Sequence, residues 1–191
     1  MLLFFISCYI PELTSPIDTA ESNEWVAPEN TWPTSNPPAN LLGVGFSNGE
    51  IAQDIRFYDQ FDNEVSLWQF YGNVILFDIS AEWCAPCKLL AEEVDATQSD
   101  YGDQGFIYLT LIAEANSSAD PVDLNILTNW ADHNHINLAP VLRTETDYRP
   151  TLIPTNAYPR LILIDRNMRV INENIFPQND ETIREKIIEN L

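Results

Sequence analysis

The sequence predicts an α/β domain, a mixed β-sheet covered by helices. Residues 74–79 and 105–112 form two apolar runs that are continuous rather than alternating, the pattern of strands buried on both faces. Helical periodicity lies between and after them, so strands and helices alternate along the chain. A third apolar run at 161–164 leads through a polar turn, 166–168, into residues 169–171, which predicts a closing hairpin.

From the N-terminus, residues 1–8 are a short apolar leader ending in Ser7-Cys8. The run is too short to span a bilayer and reads as the end of a secretory signal, although a basic n-region is missing. Phe5-Ile6-Ser7-Cys8 resembles a bacterial lipobox, with Phe5 where Leu is usual. On that reading Cys8 is the lipidated residue and the membrane anchor; otherwise it is a stray cysteine in a frayed terminus. Residues 9–40 carry Pro11, Pro16, Pro28, Pro33, Pro37 and Pro38, with five acidic side chains and no basic one. Such a segment is expected to be an extended, largely disordered tether. Trp25 and Trp32 follow no period in it and dock either on the domain or on a partner.

The domain itself is expected over 41–191. Residues 55–57 and 65–67, on either side of the polar turn Asp62-Asn63-Glu64, read as two short strands. A first long helix is expected from Pro86 to about Ser99. Asp120-Pro121 offers an N-cap and a first-turn proline for a helix that carries Leu124, Leu127 and Ala131 on one face. Asn179 or Asp180 caps a last helix whose apolar face is Ile183, Ile187 and Leu191. There is no internal repeat and no phosphate-binding glycine-rich loop.

At 191 residues the chain suits one domain plus a tail. Its 29 acidic and 9 basic residues give a formal charge of −20, and no Lys or Arg precedes Arg56. A phosphate backbone would be repelled, which excludes nucleic-acid binding. The acidity is a solvated surface rather than a special site.

The chemistry concentrates at Asp78-Ile79-Ser80-Ala81-Glu82-Trp83-Cys84-Ala85-Pro86-Cys87-Lys88. Two cysteines two residues apart at a strand-to-helix junction can close a small disulfide ring. Cys84 then stands at the helix N-terminus, where free N–H groups favour a thiolate, and Pro86 fits the first turn. That suits thiol–disulfide exchange, with Cys84 as nucleophile and Cys87 as resolving thiol. The same spacing also occurs in half of a zinc site or as inert packing. Zinc needs further ligands, for which Cys8, His133 and His135 are the candidates, and the single residue between the histidines is too short for the usual spacing. No metal is expected, and His133 and His135 read as a polar helix end. Glu82 and Lys88 read as solvated charges. Asp78, in the middle of a buried strand, is costly unless paired, and burial raises its pKa.

Residues 81–88 resemble the thioredoxin active site, with Ala85 where thioredoxin has Gly. Asp78 falls on that family's buried carboxylate, and residues 158–166 look like its cis-proline loop and following strand. Residues 59–73 resemble the N-terminal hairpin of the extracytoplasmic TlpA/ResA-like branch. The resemblance covers about residues 50–191. It implies a thioredoxin-like mixed sheet with an N-terminal β-hairpin extension, and a thiol–disulfide oxidoreductase whose only redox group is a Cys84–Cys87 disulfide, without further cofactor. It implies that Asp78 takes the proton Cys87 must lose. It places Pro159 and Tyr158 beside the cysteines, where a backbone edge can pair with an extended client, and Trp83 at the rim. The expected partners are protein thiols and disulfides, an upstream redox partner, and a membrane reached through the lipid; the protein is expected to be a monomer in the bacterial cell envelope.

Between the cysteines there is no His and no cation, so little besides the helix terminus stabilises a Cys84 anion. This favours a reductant or isomerase over a strong oxidant. Two competing functions are a thiol peroxidase on the same fold, expected to carry Pro and Thr just ahead of its cysteine where this chain has Ser80 to Trp83, and a non-catalytic binding module indifferent to either sulfur.

Overall fold

The computed structural model describes residues 25–116 and 121–191. The apolar leader, Cys8, the first part of the Pro-rich segment and Asp120 lie outside the described residues. Strand β1 (Arg56–Asp59) returns as β2 (Glu64–Ser66). The buried Asp59 carboxylate accepts the N–H groups of Phe61 and Asn63, so a side chain folds this turn. Leu67, expected in the second strand, instead opens a 3-10 helix (Leu67–Phe70), where Gln69 reaches back to accept the Ser66 N–H at 3.0 Å.

There follow β3 (Val74–Ala81), α1 (Ala85–Ala91), α2 (Val94–Tyr101) and β4 (Phe106–Glu114). Next come α3 (Leu124–His133), β5 (Val141–Arg143), α4 (Arg149–Leu152), β6 (Arg160–Ile164), β7 (Val170–Asn172) and α5 (Asp180–Ile188). The sheet order is β2-β1-β5-β4-β3-β6-β7. β3, β4 and β5 run parallel, and the remaining pairings are antiparallel. This is the mixed sheet expected from the sequence, with the hairpin β1–β2 joined through β5.

β3 lies between β4 and β6 and is buried throughout. Its side chains alternate between two cores. Ile75, Phe77 and Ile79 enter one, with Phe57, Phe70, Leu109 and Ile162. Val74 and Leu76 enter the other, which also contains Cys84, Cys87, Tyr108, Leu127 and Ile183. Asp78 and Ser80 follow the period of Leu76.

Further expectations are corrected. The first long helix is broken: Glu93 donates to Leu90 O, three residues back, which tightens one turn and separates α1 from α2. The N-cap of α3 is Asp123, whose side chain accepts the Ile126 N–H at 3.0 Å, rather than Asp120. The short β5 and α4 carry too little pattern to be seen in advance.

The last correction concerns the tether: residues 25–40 lie against the domain instead of extending from it. Trp25 Nε1 donates to Asp54 at 3.0 Å and to Ser66 at 3.2 Å, and Trp32 Nε1 donates to Asp59 at 2.7 Å. Asn30 Nδ2 donates to Glu64 O at 2.7 Å, covering the exposed edge of β2. Two half-buried indoles, each with a carboxylate for its N–H, outweigh the extension that Pro and charge favour.

Candidate active site

β3 ends at Ala81 and the chain turns directly into α1, so the residue types of this junction decide the geometry. Cys84 is the N-cap of α1, in extended backbone (φ −78°, ψ 110°), and its sulfur accepts the Cys87 N–H at 3.2 Å. Pro86 occupies the first turn, where its missing N–H has no intrahelical partner to lose. Cys84 and Cys87 are joined as a disulfide, with S–S 2.07 Å and Cα atoms 5.3 Å apart. Cys84 is 3% exposed and Cys87 is not exposed at all. Any approach is therefore to Cys84, past the exposed side chains of Trp83, Ala85 and Pro86. A cavity of about 190 Å³ opens beside Pro86, lined among others by Leu89, Leu90, Tyr108 and Ile183.

On the face of β3 whose core holds the disulfide and Tyr108, Asp78 is 1% exposed. Ser80 Oγ donates to one carboxylate oxygen at 2.7 Å and the Tyr108 hydroxyl to the other at 3.5 Å. Burial pushes the carboxyl up to about 7, against the smaller downward pull of those two hydrogen bonds. The Tyr108 phenol is likewise pushed well up, chiefly by burial and then by the Asp78 charge. Asp78 is thus poised to hold or release a proton near neutral pH.

The rim of the site comes from distant segments. Trp83 is 51% exposed and meets Tyr158 edge-on, with ring centroids 5.6 Å apart. The Tyr158–Pro159 peptide is cis, as the resemblance implied, and Pro159 O accepts Gln178 Nε2 at 2.8 Å. A second cis bond, Phe176–Pro177, had no signal in the sequence. Immediately after Pro159, Arg160 is buried and donates to the carbonyls of Leu152 at 2.6 Å, Glu173 at 2.8 Å and Phe46 at 3.0 Å.

Glu114 is the rim residue that sequence reasoning missed. It accepts Trp83 Nε1 at 3.3 Å and Arg149 Nη1 at 3.3 Å, and the Tyr158 hydroxyl bonds to it as well. Its one signal is position: it is the last residue of a parallel strand beside β3, and sites in such sheets gather at the carboxyl ends of the strands. His133 ends α3 and shares a surface groove with Glu82 and Lys88, whereas His135 lies beyond the helix. Among the described residues no group of three or more His, Cys, Asp or Glu side chains is placed to hold a metal ion.

A scan against protein-family models finds no match, and a search of curated proteins finds none either. Solved structures do match. A protein from Chlorobium tepidum described as a thiol:disulfide interchange protein, DsbE, is 20% identical with a TM-score of 0.62, covering 75% of this chain and 97% of that one. The thioredoxin domain of a thiol-disulfide oxidoreductase from Bacteroides vulgatus is 17% identical with a TM-score of 0.61, covering 76% and 99%. An exposed lipoprotein thioredoxin from Streptococcus pneumoniae is 17% identical with a TM-score of 0.60, covering 72% and 99%. This chain has the thioredoxin-like fold.

Proposed function

We propose that the protein is a thiol–disulfide oxidoreductase that exchanges disulfides with protein clients outside the cytoplasm, and that it acts as a reductant. The observation that carries the proposal is the placement of Cys84: it caps α1, receives an N–H on its sulfur, and is paired to a Cys87 that is wholly covered. In the reduced protein that N–H and the helix terminus stabilise the Cys84 thiolate. The thiolate attacks one sulfur of a client disulfide, the client S–S bond breaks, and the departing client thiolate takes a proton from water. Cys87 then gives its proton to the Asp78 carboxylate and attacks the Cys84 sulfur. The mixed disulfide breaks, the second client thiolate leaves, and two electrons have passed from the dithiol to the client. An upstream dithiol partner restores the reduced state.

Trp83, Tyr158 and Pro159 form the docking rim, with the backbone beside Pro159 offering an edge to an extended client. The description of the Streptococcus structure as an exposed lipoprotein supports placement in the cell envelope. Cys8 is the proposed lipid anchor; labelling with radioactive palmitate is expected in the intact chain and lost in Cys8→Ser. Among the described residues no helix is long and apolar enough to cross a membrane.

Reduction of insulin by wild type beside Cys84→Ser tests the activity. The expected result is turnover by wild type and loss of at least about a thousandfold in the variant. Equal behaviour of the two would favour a binding module, and peroxide consumption without a disulfide substrate would favour a peroxidase. Equilibration with glutathione is expected to give a potential more reducing than about −180 mV; a value near −120 mV would make the protein an oxidant.

A further inference from the structure

Three parts of the rim that are far apart in the chain meet on one carboxylate. Trp83 precedes Cys84, Tyr158 precedes Pro159, and Arg149 belongs to α4 in the excursion between β5 and β6. Each has a polar hydrogen on Glu114, and the two aromatic rings touch each other as well. Arg149 is held from its other side by Asp147, through Nε at 2.8 Å and Nη2 at 3.0 Å. The Glu114 side chain is only 13% exposed, so its hydrogen bonds are shielded from water in a way that the Asp147 contact is not.

We propose that Glu114 is a positioning residue that fixes the client-docking rim, and that Arg149 makes this rim depend on the excursion between β5 and β6. The proposal rests on the oxidoreductase reading above and adds a determinant of client recognition to it. Trp83 is half exposed and its ring is free to turn about two side-chain bonds; the Glu114 bond selects one orientation before a client arrives, which lowers the ordering cost of docking. Tyr158 is held by the same oxygen pair. Neither contact touches a sulfur, so Glu114 acts on how a large client is received and not on the bond exchange itself.

The test compares insulin with a small aromatic disulfide as substrates of the full chain. Glu114→Gln keeps the side-chain shape and removes the charge. It is expected to raise KM for insulin about tenfold, the scale of a lost charge-assisted hydrogen bond, while kcat and the rate with the small disulfide change less than about twofold. Arg149→Met is expected to raise the same KM about threefold, and the double variant to be no worse than Glu114→Gln alone, since Arg149 acts through Glu114. Hydrogen exchange of the Trp83 indole N–H, followed by NMR, is expected to accelerate in Glu114→Gln. An unchanged insulin KM, equal losses on both substrates, or an unchanged indole exchange rate would each overturn the proposal. If wild type reduces neither substrate, the oxidoreductase reading fails instead, so the two failures are distinct.

Discussion

The two faces of β3 are built from the same strand and do opposite things. Ile75, Phe77 and Ile79 enter a core whose large buried side chains are hydrocarbon and aromatic, closed by the β1–β2 hairpin and the 25–40 segment. On the alternate residues, Leu76 is followed by Asp78 and Ser80, and this face packs under the disulfide with Tyr108. One face is optimised for burial. The other holds a carboxyl at a cost in stability, because burying an ionisable group penalises its charged form. A period of two residues is enough to keep the scaffold and the chemistry apart.

If that division holds, damage to the scaffold face costs stability and leaves exchange intact. Phe77→Ala is expected to destabilise by about 3–5 kcal/mol in denaturant titrations, with the rate of insulin reduction well below the unfolding midpoint unchanged. A matching fall in rate would show that the two faces are coupled.

The chemical face is expected to respond in the reverse sense. Asp78 titrates near 7 in the fold and near 4 in the unfolded chain, so between these values the native state holds the extra proton. Stability on this account is full below about pH 4 and is lost as pH rises through 7. Asp78→Asn is therefore expected to be more stable than wild type at pH 8, by about 2–4 kcal/mol, with the gain shrinking toward pH 4. The same substitution is expected to slow resolution of the mixed disulfide about a hundredfold, and to remove the rise in that rate through pH 7. Stopped-flow release of the client thiol measures it. A variant that is both more stable and slower is the signature of a functional carboxyl; one that is less stable would mark Asp78 as structural.

Tyr108→Phe removes a hydrogen bond that lowers the Asp78 pKa. The midpoint of the resolution rate is expected to move to higher pH, a smaller effect than losing the carboxylate. Smallest of all, Trp32→Phe deletes one indole hydrogen bond to Asp59 and is expected to cost about 1 kcal/mol in unfolding titrations without any change in exchange.

What was legible in the sequence was what is local. Cys84, Pro86 and Cys87 lie within one turn of helix, and Asp78 shows itself as a lone charge in an apolar run, so neither needed tertiary information. The three core strands were visible for the same reason: continuous apolar runs state their burial directly. Pro159 could be placed beside the disulfide only through a family resemblance, because more than 70 residues separate them. Tyr108 and Arg149 gave no signal, and Glu114 only its place at a strand end, since each matters through a side chain whose partner lies 30 or more residues away. Trp25 and Trp32 were noticed, but composition argued for an extended tether; the carboxylates of Asp54 and Asp59 that receive their N–H groups are invisible in a local window.

The most direct test of the division of labour between the sulfurs is to trap the exchange half-way. Cys87→Ser is incubated in its reduced form with an oxidised client, quenched in acid, and the adduct is mapped by mass spectrometry. The expected product is a single mixed disulfide on Cys84. Absence of any adduct, together with an adduct on Cys87 in the Cys84→Ser variant, would contradict the assignment of Cys84 as the sulfur that meets the client.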